Sequence, residues 1–189
     1  MVFDPSVGED ADISPAELGE EKENEVMAPT PPNGFVPLFR SSPFLDHNGP
    51  FFYKTSDDGT FVVGVRIQPK HANGRGSAHG GLLMTMCDIA LGYRTTRSQT
   101  PSPMLTTASV TADFAGSAKI GDWVEAHVDV HKVGGRLAFA NCYLVCNGER
   151  IVHASAVFAR TGDRAIEAPH ALLPSSAGEV SALTRTEGS

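Results

Sequence analysis

Asp88 is the one charge in the apolar run LLMTMCDIAL (82–91), which follows a glycine-rich stretch, NGRGSAHGG, at residues 73–81. A carboxylate among apolar side chains costs several kcal/mol unless a partner pairs with its charge or a reaction uses it. The pattern predicts a helix with Ser77 as its cap and Ala78 to Gly81 in its first turn. The N–H groups of a first turn have no partner within the helix. Together with the positive end of the helix dipole, they stabilise an oxygen that gains negative charge. Glycine lets a carbonyl approach such an amide without a side chain in the way, which makes Gly80 the candidate donor. Asp88 lies eight residues further on, about 12 Å along a helix, too far for both groups of one chain to touch one carbonyl. Two helices running antiparallel across a two-fold axis remove that difficulty, because Asp88 of one copy then faces Gly80 of the other.

The elements around this helix read as strands. GTFVVGVRIQ (59–68) is rich in Val, and MLTTASVTADFAGSA (104–118) alternates apolar and polar residues over most of its length. DWVEAHVDVHKV (122–133), LAFANCYLVC (137–146) and RIVHASAVFAR (150–160) follow. Asn147-Gly148 between the last two suits a type I′ hairpin turn. Alternation places Thr107 with Ser109, Thr111 and Asp113, and Thr106 opposite. The Pro- and Gly-rich segment before residue 59 reads as a lead-in with one short helix, laying Phe35, Phe39, Phe44 and Phe51 on the domain. Short connections favour antiparallel neighbours. A helix apolar nearly all round is expected to be enclosed, so the fold class is α+β, a curved antiparallel sheet of five to six strands around one central helix.

The pattern N-x5-HGG-x6-D, here Asn73, His79, Gly80, Gly81 and Asp88, resembles the hotdog-fold acyl-CoA thioesterases of the PaaI-like, 4-hydroxybenzoyl-CoA thioesterase superfamily. FAGSAKIGD (114–122) and GGRLAFANCYL (134–144) resemble the family's later strands, and the likeness spans roughly residues 59 to 160. The resemblance implies an active site shared between protomers of an obligate homodimer, with a tetramer left open, hydrolysing an acyl- or aryl-CoA to free acid and coenzyme A. It implies Asp88 as base or nucleophile, Asn73 positioning water or carbonyl, and Thr107 assisting the water. His79 is either a reacting group or a packing residue that orients the loop. The coenzyme A phosphates need basic partners: Arg75, Lys132 and Arg136 are the first candidates, with Arg94 and Arg97 behind them. No metal or redox cofactor is required. Two alternatives stay open, a hydroxyacyl-thioester dehydratase of the same fold and a non-catalytic acyl-CoA-binding regulator.

Other constellations are weaker. His127, Asp129 and His131 share a strand face that could hold a metal but reads better as a solvated face. A dinucleotide site lacks the third glycine and the βαβ pattern, and Ser-His-Asp catalysis lacks a GxSxG elbow. Cys87 reads as a small core residue.

The 189 residues suit one domain with loose ends: an acidic, disordered tail over 1–30, the domain over 31–163, and a flexible tail over 164–189. The first 30 residues carry −8 of the net −7, leaving the remainder at +1, and this argues against nucleic acid as a partner. There is no apolar run long enough to span a membrane and no secretory signal, and three cysteines read as reduced thiols of a cytoplasmic protein.

Overall fold

The computed structural model describes residues 29–56 and 59–164. The expectations for the acidic N-terminal segment up to residue 28 and for the C-terminal stretch beyond residue 164 fall outside the described residues. Among the described residues seven strands and two α-helices follow one another: β1 (Val36–Pro37), α1 (Pro43–Asn48), β2 (Phe51–Thr55), β3 (Phe61–Arg66), α2 (Gly80–Thr96), β4 (Ser102–Phe114), β5 (Trp123–Val133), β6 (Leu137–Cys146) and β7 (Glu149–Arg164). All pairings are antiparallel and the sheet order is β1-β2-β3-β5-β6-β7-β4. Among the described residues no helix is long and apolar enough to cross a membrane.

The sheet has room for α2 because its inward positions are small. Ala126, Ala138, Ala140, Cys142, Ala154 and Ala156 are all buried, so the larger Leu83, Met86 and Leu91 of the helix reach down between the strands. Burial of each such helix side chain contributes about 1.5–3 kcal/mol. Cys87 and Cys142 meet in this layer, and their hydrogen bond together with burial holds the Cys142 thiol far above its usual range. All three cysteines are free and buried, which agrees with Cys87 as a core residue.

The buried residues of α2 (Leu82, Leu83, Met86, Cys87, Ala90, Leu91 and Thr95) form one stripe. The chain's own sheet therefore covers one face of the helix. Met84, Thr85, Asp88 and Ile89 on the other face stay partly accessible, against the expectation of an enclosed helix.

The segment read as a lead-in contributes β1, β2 and α1. Phe35 and Phe51 are buried as expected, whereas Phe39 and Phe44 remain 42% and 60% exposed. Asn147 (φ 52) and Gly148 (φ 84) make the hairpin between β6 and β7, as their sequence requires. β7 runs four residues past Arg160, because Ser102 and Pro103 at the start of β4 pair with Arg164 and Asp163.

A second cluster covers the sheet's outer face, where Phe35 meets the Trp123 ring edge-on at 5.0 Å and Phe52 lies 5.9 Å from it. Gly64 in β3 leaves the space for that indole, since a Cβ there would come within 2.2 Å of Trp123 Cζ2. Gly64→Ala is expected to lose about 1–3 kcal/mol through overpacking; urea unfolding followed by Trp123 fluorescence checks this.

Candidate active site

The approach to α2 is a compact loop closed on itself. The Asn73 side-chain Oδ1 accepts the N–H groups of Arg75 (2.9 Å) and Ser77 (3.4 Å), while the Asn73 N–H donates to the Ser77 carbonyl at 2.7 Å. Gly76 turns the chain at φ +74, a conformation that favours glycine. Two backbone bonds moor the loop: His79 N–H to His71 O, and Ala78 N–H to Ala118 O, both at 2.8 Å. Asn73 is thus a loop organiser through its carbonyl oxygen, and its Nδ2 has no partner among the described residues.

The loop delivers His79, not Ser77, as the N-cap of α2. The helix begins two residues later than the sequence suggested, because the Ser77 backbone is occupied by Asn73 and by a bridge to Lys119. His79 Nδ1 accepts the Gly81 N–H at 2.9 Å. The His79 carbonyl accepts from Leu82 and Leu83 at 3.0 and 3.3 Å. Of the first-turn amides, the Gly80 N–H alone has no acceptor among the described residues. A Cβ on Gly81 would press to 3.0 Å from His79 Nδ1, so glycine there serves the cap. A Cβ on Gly80 would meet only the Phe114 ring at an ordinary 3.6 Å. Nothing in this chain's packing therefore demands glycine at position 80.

Asp88 lies two turns further along, on the uncovered face of α2. Its Oδ1 accepts the Thr107 hydroxyl at 3.0 Å. Thr107 is thus beside the carboxylate, although not for the reason that alternation supplied. Thr107 pairs with Phe158 but Ser109 pairs with Val157, so a bulge at Ala108 shifts the register. Phe158 is buried against α2, near Gly92, and Thr107 shares that helix-facing side. Ser109, Thr111 and Asp113 lie on the outer side, where Thr111 bonds Ser155 at 2.9 Å. A single extra residue moved Thr107 to the other face.

Asp88 opens onto a groove of about 490 Å³ between α1 and α2, lined by Ser42, Phe44, Leu45, Gly81, Met84, Thr85, Asp88 and Ile89. β4 runs alongside, with Thr107 at Asp88 and Phe114 at Gly80. The chain therefore holds carboxylate and free amide at opposite ends of the same strand. The basic candidates divide in the same way. Arg75 sits in the loop moored at Ala118, just before β5, while Lys132 and Arg136 lie at the far end of β5 and in the following turn. About 30 Å of strand separates them, so a single chain does not gather them into one cluster. All three are exposed. Arg97 lies over Phe39 at 4.3 Å. His127 pairs with Glu125 at 3.1 Å, and His131 lies 4.0 Å from Asp129 beside the irregularity between Val130 and Lys132.

Three contributors escaped the sequence reading. Phe114 presents its ring to Gly80, and α1, the short helix expected in the lead-in and opened by the Ser42 cap and Pro43, forms one wall of the groove, a role its sequence did not signal. The third is His71, 4% exposed, whose Nδ1 accepts the Gln68 N–H at 3.1 Å and whose carbonyl moors His79. No periodicity marks a buried histidine in a short 3-10 turn.

Comparison with known proteins adds three findings. A family model described as the thioesterase superfamily matches residues 75–153. A Pseudomonas aeruginosa protein provisionally named an esterase is 49% identical over 128 residues, covering 67% of this chain and 95% of that protein. Among solved structures, Escherichia coli PaaI from a phenylacetic acid degradation operon superposes with TM-score 0.55 at 21% identity, over 61% of this chain and 83% of that one. The Streptococcus mutans protein smu.793, solved with acetyl-CoA bound, gives TM-score 0.56 at 19% identity, over 68% and 95% of the two chains. The fold is thus the hotdog fold of these structures.

Two measurements test this arrangement. His79→Ala removes the cap and is expected to lower unfolding stability by about 1 kcal/mol, with His79→Asn retaining most of it; thermal melts decide. Burial lowers the His71 pKa below its ordinary value. The unfolded chain then takes up this proton first as pH falls, so the contribution is complete above the ordinary histidine value and is lost below it. Stability of the wild type is expected to drop from about pH 6.5 downward, and His71→Gln to flatten that slope in pH-dependent denaturation.

Proposed function

This chain belongs to the thioesterase superfamily, and from that premise we propose that it hydrolyses an acyl-CoA to free acid and coenzyme A at a site shared by two copies of the chain. The observation that carries the reading is the Thr107–Asp88 hydrogen bond at 3.0 Å at the edge of an open groove. That bond fixes one carboxylate oxygen and leaves the other free to face a reactant. The unpartnered Gly80 N–H supplies the matching donor for an oxyanion. Coenzyme A as the leaving group takes support from the acetyl-CoA held by the Streptococcus mutans structure.

In the proposed reaction Asp88 takes a proton from water as the water oxygen bonds to the thioester carbon. The Gly80 N–H of the other copy stabilises the oxyanion. The C–S bond then breaks, the coenzyme A sulfur takes the proton from Asp88, and the carboxylic acid leaves. Asn73, with its free Nδ2, orients water or carbonyl. No metal or redox cofactor enters the scheme. A dehydratase needs a histidine poised against the carboxylate, and His79 instead spends Nδ1 on the helix cap.

The two-fold follows from strand geometry. β4 is the longer of the sheet's two edge strands among the described residues, and most of its residues are exposed, including Met104 at 44% and Phe114 at 51%. Antiparallel pairing of this edge with a second β4, centred near Val110 and Thr111, sets Thr107 of one copy opposite Phe114 of the other. Asp88 then meets the other copy's Gly80. The same operation sets Lys132 and Arg136 at the same end of the joined sheet as the other copy's Arg75, the basic candidates for the phosphates.

Complementation tests the shared site. Asp88→Asn and Gly80→Pro are each expected to lose about 100-fold or more in kcat. The proline deletes only the N–H, because the first helical position tolerates it and His79 (ψ 136) already suits a following proline. Co-expressed, the two variants form mixed dimers with one intact site, restoring about a quarter of wild-type thiol release. No restoration, or a strictly monomeric active enzyme by light scattering, would falsify the shared site.

A further inference from the structure

We infer that the groove between α1 and α2 receives the acyl part of the thioester and selects an uncharged hydrocarbon group, with Phe44 of α1 as its specificity-determining wall. This rests on the proposed thioester hydrolysis and names its substrate class.

The lining decides the chemistry. Phe44, Leu45, Met84 and Ile89 give the groove four apolar side chains. Its polar side chains are already engaged within the chain: Ser42 Oγ accepts the Leu45 N–H at 3.2 Å, Thr85 Oγ1 donates to the Gly81 carbonyl at 3.0 Å, and Asp88 Oδ1 accepts from Thr107. An acyl group bearing a hydroxyl or amide would lose its water partners here and find few replacements. Asp88 is the only ionisable group on the wall among the described residues, so an acyl group ending in a carboxylate would meet a like charge at close range.

Phe44 is singled out by what it does not do. Helix α1 is secured by its Ser42 cap, by Ser41 Oγ on Asp46, by Asn48 Nδ2 on the Phe44 carbonyl at 2.8 Å, and by Lys70 Nζ on the His47 carbonyl at 3.1 Å. Leu45 packs on the main core. None of these contacts uses the Phe44 ring, which is 60% exposed at the groove. A large aromatic side chain on a well-anchored helix, with no ring partner among the described residues and lining the same groove as Asp88, is placed to pack against the acyl group of the thioester.

The test measures kcat/KM by thiol release for acetyl-, hexanoyl-, phenylacetyl- and malonyl-CoA on the full chain and on Phe44→Ala and Phe44→Leu. The wild type is expected to favour hexanoyl- and phenylacetyl-CoA over malonyl-CoA by about 100-fold or more. Phe44→Ala should lower the two hydrocarbon substrates about tenfold while acetyl-CoA falls far less, and Phe44→Leu should recover most of the hexanoyl-CoA rate. An equal loss on all four substrates, or malonyl-CoA accepted as well as hexanoyl-CoA, would overturn the inference. Absence of thiol release from every substrate by the wild type would instead remove the proposed hydrolysis itself.

Discussion

A carboxylate on an apolar helix cannot be sealed behind a sheet without a large desolvation cost, and the architecture follows from how α2 meets that constraint. The helix presents Leu82, Leu83, Met86, Cys87, Ala90 and Leu91 to a floor of alanines and cysteines, and turns Asp88 the other way. Small inward residues on β5, β6 and β7 let the backbone layers approach closely. The opposite face keeps its groove open, and there the carboxylate has one committed hydrogen bond, from Thr107. The packed face and the open groove thus lie on different sides of one element.

The start of α2 shows a similar division among backbone groups. A helix leaves its first N–H groups without intrahelical partners, and most proteins satisfy them with a cap and solvent. Here His79 claims Gly81 through its ring, Leu82 and Leu83 turn back to the His79 carbonyl, and Gly80 is left over. The glycine loop before it is held shut by the Asn73 side chain and moored through His71 and Ala118. A free amide kept at a fixed place by this much scaffolding is pre-organised, which is the property an oxyanion donor needs.

The edge position of β4 connects these two features to the proposed assembly. A thirteen-residue strand with one unpaired side is an exposed template for a second strand. In one chain this strand holds Asp88 and Gly80 apart, and paired with its twin it would bring them together.

The sequence by itself determined the elements whose signals are local. These are the period-2 strands, the Asn147-Gly148 turn, the apolar helix, and the spacing of His79, Gly80, Gly81 and Asp88 that carries the family resemblance. Such features depend on side chains a few residues apart, and pattern reports them faithfully. The tertiary structure decided the rest. Ser77 lost the cap to His79 because Asn73 had already engaged its backbone. Thr107 reached Asp88 through a bulge at Ala108 that alternation cannot anticipate. The open face of α2 and the wall that α1 gives it depend on which surfaces the sheet covers. Each of these is a competition between residues distant in the chain for one hydrogen bond or one surface, and only the folded arrangement settles it.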